Sequence, residues 1–139
     1  MQWDDSVNAG FSTAAAEKLY IPLDVSPERP TVKKQLQEAS SLLNEVKTLI
    51  ALRKAHPALQ NHARIKFLYA EKDRCPLAYL RSSEKETILV LLNPSDKPQS
   101  FPCELTPGRE LYHFHALPQS KDGKLLLAEQ SAAFYLLHQ

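Results

Sequence analysis

Glycine is scarce: the 139 residues hold three, Gly10, Gly108 and Gly123, far apart in the chain. A dinucleotide fingerprint or a phosphate loop needs clustered glycines so that backbone can approach phosphate closely. Both are excluded. Cysteine is as scarce, with Cys75 and Cys103 alone. Two cysteines make neither a disulfide framework nor a four-ligand zinc set. They read as two buried free thiols in a reducing compartment. Net charge is also small, +1 from 17 basic and 16 acidic residues, so no global field draws the chain to nucleic acid or an anionic membrane. The apolar run at 88–92 is far too short to span a bilayer, and no charged-then-apolar leader opens the sequence. These features predict a protein with no nucleic-acid or membrane partner and a cytoplasmic location.

What the chain does have is an ordinary globular composition, 43% hydrophobic and 24% charged, which argues against a disordered tail. The charge is uneven. Residues 1–30 sum to −3, residues 31–85 to +6 and residues 86–139 to −2. Residues 1–39 carry turn-formers (Asn8-Ala9-Gly10, Pro22, Pro27, Pro30) and no sustained period, and read as an irregular arm. From Ser40 or Ser41 to Lys54 the pattern is helical. Leu42, Leu43, Val46, Leu49 and Ile50 form one apolar stripe, a serine supplies the N-cap, and Arg53, Lys54 and His56 crowd the negative C-terminal end. Pro57 blocks continuation.

After Leu59 the period switches to two. Strands are predicted at Ile65/Phe67/Tyr69, at 77–81, at 87–92, which reads as a central strand buried on both faces, then at 99–103, 110–115, 124–127 and 133–138. Asn93-Pro94-Ser95-Asp96 is a strong turn. The expected fold is mainly β with one long helix: an arm over 1–39, a helix over 40–58 and an antiparallel β-sandwich over 59–139.

Candidate chemistry is sparse. His113 and His115 stand at i, i+2 on a predicted strand and would share a face, but nothing nearby supplies a third metal ligand. His56 and His62 flank the helix end and read as capping or loop residues. No Gly-x-Ser-x-Gly elbow occurs. The basic surplus of 31–85 has no interleaved aromatics and reads as a solvated face. Asp4 and Asp5 are adjacent, and consecutive side chains rarely converge on one glycosidic bond. From the residues alone no catalytic site, metal site or cofactor is expected.

The opening residues carry a resemblance. Met1-Gln2-Trp3-Asp4-Asp5-Ser6 with Asn8-Ala9-Gly10-Phe11-Ser12 resembles the MQWD…NAGF(S/T) stretch of the α-amylase family, glycoside hydrolase family 13. It is most similar to the α-glucosidase, oligo-1,6-glucosidase and trehalose synthase branch. Ser41-Leu42-Leu43-Asn44 and the segment from Leu49 to Leu59 resemble that branch's SLLN…LIxLRKxHPAL helix. The segment from Leu89 to Ser95 resembles its central C-domain strand and turn, and that from Ser131 to Leu136 its closing strand.

The resemblance implies a parent built on a TIM barrel, with its active site at the C-terminal ends of the strands. The implied chemistry is retaining: an Asp nucleophile, a Glu acid/base and a second, stabilising Asp act on α-glucosidic bonds. In the family all three lie upstream of the MQWD stretch. The chain is therefore expected to be a C-terminal fragment that is inactive alone and meets α-glucan or α-glucoside only through the missing barrel. Residues 1–39 would be the loop after the eighth barrel strand, 40–57 the eighth barrel helix, and 59–139 the C-terminal sandwich, a structural cap. Gln2, Trp3 and Asp4 are then candidates to line the outer pocket of the intact enzyme, with Trp3 as loop anchor and Asp4 as a backbone acceptor in the opposing reading. Without barrel partners the stripe Leu42, Leu43, Val46, Leu49 and Ile50 would leave a patch of roughly a few hundred Å². Two outcomes would cover it: folding back onto the sandwich, or, the favoured one, self-association helix to helix. A free-standing carbohydrate-binding sandwich is the alternative, although most of its candidate aromatics (Tyr69, Tyr79, Tyr112, Phe114, Tyr135) alternate with polar residues as inward-facing side chains do.

Overall fold

The computed structural model describes residues 1–137. His138, the end of the predicted last strand, lies outside the described residues. The chain divides into two compact units, Met1–Ala51 and Leu52–Gln139.

In the first unit the order comes from turns and caps. Trp3 donates its N–H to the Ala9 carbonyl at 2.8 Å, closing a loop over Asp4 to Asn8. The closure runs through three successive left-handed residues, Asn8 (φ 53°), Ala9 (φ 52°) and Gly10 (φ 73°). For Asn8 and Ala9 this conformation costs roughly 1–2 kcal/mol each, less for an Asn. Gly10 is required on a second ground: a Cβ there would lie 2.8 Å from Oδ1 of Asp4. The arm also contains a short helix, α1 (Val32–Gln37), which the sequence did not announce. Thr31, 1% exposed, caps it by accepting Lys34 N–H at 3.2 Å. The N–H groups of Val32 and Lys33, orphaned at the helix start, go to the carbonyls of Gln2 and Trp3 at 3.0 and 2.9 Å.

The long helix α2 spans Leu42–Ala55, as the period predicts. Ser41 is its N-cap, accepting Asn44 N–H at 3.4 Å while donating to the Gln35 carbonyl at 2.6 Å. No residue of α2 is buried.

In the second unit, β1 (Arg64–Tyr69), β2 (Leu77–Ser82), β3 (Thr87–Asn93), β5 (Arg109–Phe114) and β8 (Ser131–Leu137) form an antiparallel sheet in the order β1-β2-β3-β8-β5. A second sheet has the order β4-β7-β6, from β4 (Gln99–Pro102), β6 (Gln119–Lys121) and β7 (Lys124–Leu127). Leu89, Leu91, Ala133 and Tyr135 from the first sheet pack with Phe101, Leu125 and Leu127 from the second, which is the sandwich core. The opposite face of β3, Ile88 and Val90, is covered by Ala58 in the turn Pro57–Leu59. All four of residues 88–91 are fully buried, as a continuous aliphatic run in a central strand predicts.

Two details depart from expectation, and a third concerns a glycine. A register shift between Phe67 and Tyr69 breaks the simple alternation of β1. Tyr69 packs in the sandwich core with its ring 5.5 Å from Phe101, while Ile65 and Phe67 stay about half exposed on the other face. Cys75 and Cys103 are free, but half-buried rather than buried. Gly108 sits where a Cβ would lie 2.0 Å from the Leu136 carbonyl oxygen, so close approach of backbone explains this glycine.

Candidate functional site

The expected site residues lie at the start of the first unit, where the closed loop separates them. Asp4 turns its carboxylate inward along the loop: Oδ1 accepts the Ser6 hydroxyl at 2.5 Å and the Ser6 N–H at 2.9 Å. These two bonds, the hydroxyl's first, hold the Asp4 carboxyl below its ordinary 3.8, with a smaller contribution from the Lys33 charge and against a slight desolvation. Asp5 goes to different partners, Arg29 at 3.0 Å and Lys34 at 3.9 Å. The two neighbouring carboxylates thus do not converge.

Gln2 and Trp3 line an apolar groove of 930 Å³ instead, with Tyr20, Ile21, Leu36 and the stripe residues Leu42, Leu43 and Val46. Trp3 is 48% exposed there, and the Gln2 side-chain oxygen is buried with no hydrogen-bond partner among the described residues. Asp4 does not line this groove. The structure brings two of the three candidates together and assigns the third to the loop.

On the other side of the loop, Ser6, Val7, Gly10, Phe11, Ser12 and Thr13 surround a shallow cavity of 840 Å³. Asn8 fixes its rim. Its carboxamide, 6% exposed in the residue as a whole, donates to the carbonyls of Ser12 at 3.0 Å and Ala14 at 2.6 Å. Phe11 lines both this cavity and the apolar groove. The motif includes Phe11 and Ser12 without giving them a role, and Thr13 lies just beyond it. The available signal was Asn8-Ala9-Gly10, which marks a left-handed turn and hence a fixed direction for the residues after it.

His113 Nδ1 meets Glu110 at 2.7 Å, and the His115 ring stacks on Phe114 at 4.2 Å with φ at +62°. Among the described residues no group of three or more His, Cys, Asp or Glu side chains is placed to bind a metal ion, and no helix is long and apolar enough to cross a membrane. His56 donates to Glu86 at 2.9 Å, a pairing at the helix end in keeping with a loop role.

Loop, capped helix and two-sheet sandwich follow one another along the chain. Residues 1–62 match the alpha-amylase catalytic domain and residues 65–115 the C-terminal domain of maltogenic amylase. The chain belongs to the α-amylase family, glycoside hydrolase family 13. It is 34% identical over 112 residues to the trehalose synthase/amylase TreS of Mycobacterium tuberculosis, covering 76% of this chain and 18% of that one. To the oligo-1,6-glucosidase of Parageobacillus thermoglucosidasius it is 34% identical over 101 residues, covering 73% and 17%. The crystal structure of the trehalulose synthase MutB from Pseudomonas mesoacidophila MX-45 superposes with a TM-score of 0.79 at 26% identity, over 97% of this chain and 24% of that one. The chain thus spans less than a fifth of the length of the two curated relatives.

Proposed function

We propose that this chain is the part of an α-amylase-family glycosidase or transglycosylase that completes the catalytic domain and covers it with a sandwich, without carrying the catalytic carboxylates. The observation behind this reading is the order of the two matches, catalytic domain over 1–62 and C-terminal domain over 65–115, together with a loop whose two acidic residues are both engaged in holding the arm. The substrate class would be α-glucosides such as maltooligosaccharides or isomaltose, handled by retaining chemistry on groups outside residues 1–139. Gln2 and Trp3 then belong to the surface facing the rest of the catalytic domain, and Asp4 to the loop that holds them. The setting is cytoplasmic, in keeping with two free cysteines.

A chimaera tests this. In the oligo-1,6-glucosidase of Parageobacillus thermoglucosidasius, the matching region is replaced by residues 1–139. Hydrolysis of isomaltose by the chimaera, with none by the glucosidase lacking that region and none by this chain alone, is the expected result. Turnover of maltose, isomaltose or an aryl α-glucoside by this chain alone, surviving repurification, overturns the reading.

The second reading, a free-standing carbohydrate-binding sandwich, is favoured by the exposed Phe114 ring stacked on His115. Binding of maltooligosaccharide that Phe114→Ala abolishes would support it.

A further inference from the structure

The cavity beside the first loop is lined by Ser6, Val7, Gly10, Phe11, Ser12 and Thr13, none of which carries a charge. Its 840 Å³ falls in the range of about 300–1,000 Å³ usual for small-molecule sites. Ser6 is already committed, its hydroxyl donating to Asp4. Ser12 Oγ accepts the Ala14 N–H at 3.1 Å, which leaves its own proton without an acceptor among the described residues. Thr13 is exposed, and Phe11 presents 42% of its surface. One half-exposed aromatic ring beside two available hydroxyls, with no charged group, matches a neutral polyhydroxylated ligand. An anion or a cation would lack its complement among these lining residues.

The segment is also held rigidly. Three consecutive left-handed residues, Asn8, Ala9 and Gly10, lead into it. The buried Asn8 carboxamide pins the carbonyls of Ser12 and Ala14, and Ala9 is 3% exposed. Backbone strain of this kind persists where the surroundings over-determine it, and a preordered wall binds a ligand without a further ordering cost.

We propose that Phe11, Ser12 and Thr13 form a saccharide subsite, the Phe11 ring against the apolar face of a pyranose and the two hydroxyls toward its hydroxyl groups. The inference rests on the α-glucoside reading above and adds where a sugar ring is held. Such a subsite affects which acceptor or leaving sugar is held, not the bond-breaking groups.

The test is a titration of the full ¹⁵N-labelled chain with maltotriose, followed by amide shifts. Saturable shifts centred on residues 10–13 are expected. Phe11→Ala should weaken the apparent affinity about 3- to 10-fold, the range of one lost stacking contact. Thr13→Val, which keeps the shape and removes one exposed hydroxyl, should weaken it at least about twofold, with the loop amides otherwise in place. Phe114→Ala should leave it unchanged. Absence of any shift at residues 10–13 up to about 100 mM maltotriose overturns the subsite, as do shifts confined to Phe114 and His115. The chimaera's activity reports on the family reading separately: an active chimaera with unshifted loop amides removes the subsite and leaves that reading standing.

Discussion

The Glu86 carboxylate bridges the end of α2 to the sandwich, taking His56 Nδ1 on one oxygen at 2.9 Å and the Ala58 N–H on the other at 3.0 Å. Arg81 completes the clamp from the neighbouring strand, donating to the carbonyls of Ala58 and Gln60. Between them they press Ala58, fully buried, onto Ile88 and Val90. A polar clamp fixes an apolar plug.

This clamp depends on pH. Burial favours the protonated form of Glu86, but the bonds from Ala58 and His56 and the His56 charge outweigh it and hold the carboxyl below its ordinary 4.5. A group whose folded pKa is lowered contributes stability that is complete above its unfolded value and is lost as pH falls through the folded one. Glu86→Ala should therefore cost about 1.5–3 kcal/mol at neutral pH, as for a hydrogen-bonded charge. The deficit should shrink below about pH 4. Urea unfolding of both proteins at several pH values, followed by tyrosine fluorescence, measures it. A deficit that stays constant down to pH 3 would contradict the assignment.

Leu91 lies at 0% exposure in the middle of β3, paired with Ala78 and Ala133 on its two neighbouring strands. Leu91→Ala should destabilise by about 2–5 kcal/mol through lost transfer energy plus the cavity left behind. Two alanines as cross-strand neighbours offer little that can collapse into the gap, which favours the upper half of that range. The same denaturation experiment decides it, and a cost under about 1 kcal/mol would show the strand to be peripheral.

Gly10→Ala should open the first loop without touching the sandwich. The new methyl would meet Asp4 Oδ1 at 2.8 Å in a residue already at φ +73°. Hydrogen exchange at the Trp3 amide, which the loop closes onto Ala9, should accelerate at least about tenfold, while the amides of β3 keep their protection. Unchanged exchange at Trp3 would mean the loop does not depend on this glycine.

The helix stripe leads to a prediction about assembly. Leu42, Val46 and Ile50 are 74%, 44% and 50% exposed, apolar side chains one turn apart on one face of α2. We propose that isolated chains pair through them. Light scattering on a sizing column at tens of micromolar should give a mass above 15.7 kDa, returning to that value in Val46→Glu. A monomer at every concentration would leave the stripe without a second copy as its cover.

The sequence disclosed those parts of the fold whose pattern is long or chemically marked. A fourteen-residue helix with a serine before it and a proline after it was legible at both ends. So was β3, because the aliphatic run 88–92, followed at once by the turn Asn93-Pro94-Ser95-Asp96, suits a strand covered on both sides. β6 has three residues, all exposed, and α1 has six, so neither spans enough periods to stand out. That Ile65 and Phe67 lie on the opposite face from Tyr69 was hidden because a one-residue register shift reverses faces while leaving the composition unchanged. At the loop the motif names Gln2, Trp3 and Asp4 alike, yet Gln2 and Trp3 line the apolar groove while Asp4 accepts from Ser6. That difference follows from distances rather than from residue type.

The strand order has a consequence for the timing of synthesis. β8 is the last of the eight to leave the ribosome, yet it lies between β3 and β5 and pairs with both. Until it arrives, β1 to β3 can form only a meander whose most apolar strand is an open edge, and β5 has no partner in its sheet. Such an edge is a template for pairing with other nascent chains. The nascent sandwich is therefore most exposed to misassembly just before its final strand is made, and a holdase that shields the β3 edge should raise its soluble yield more than one that binds the first unit.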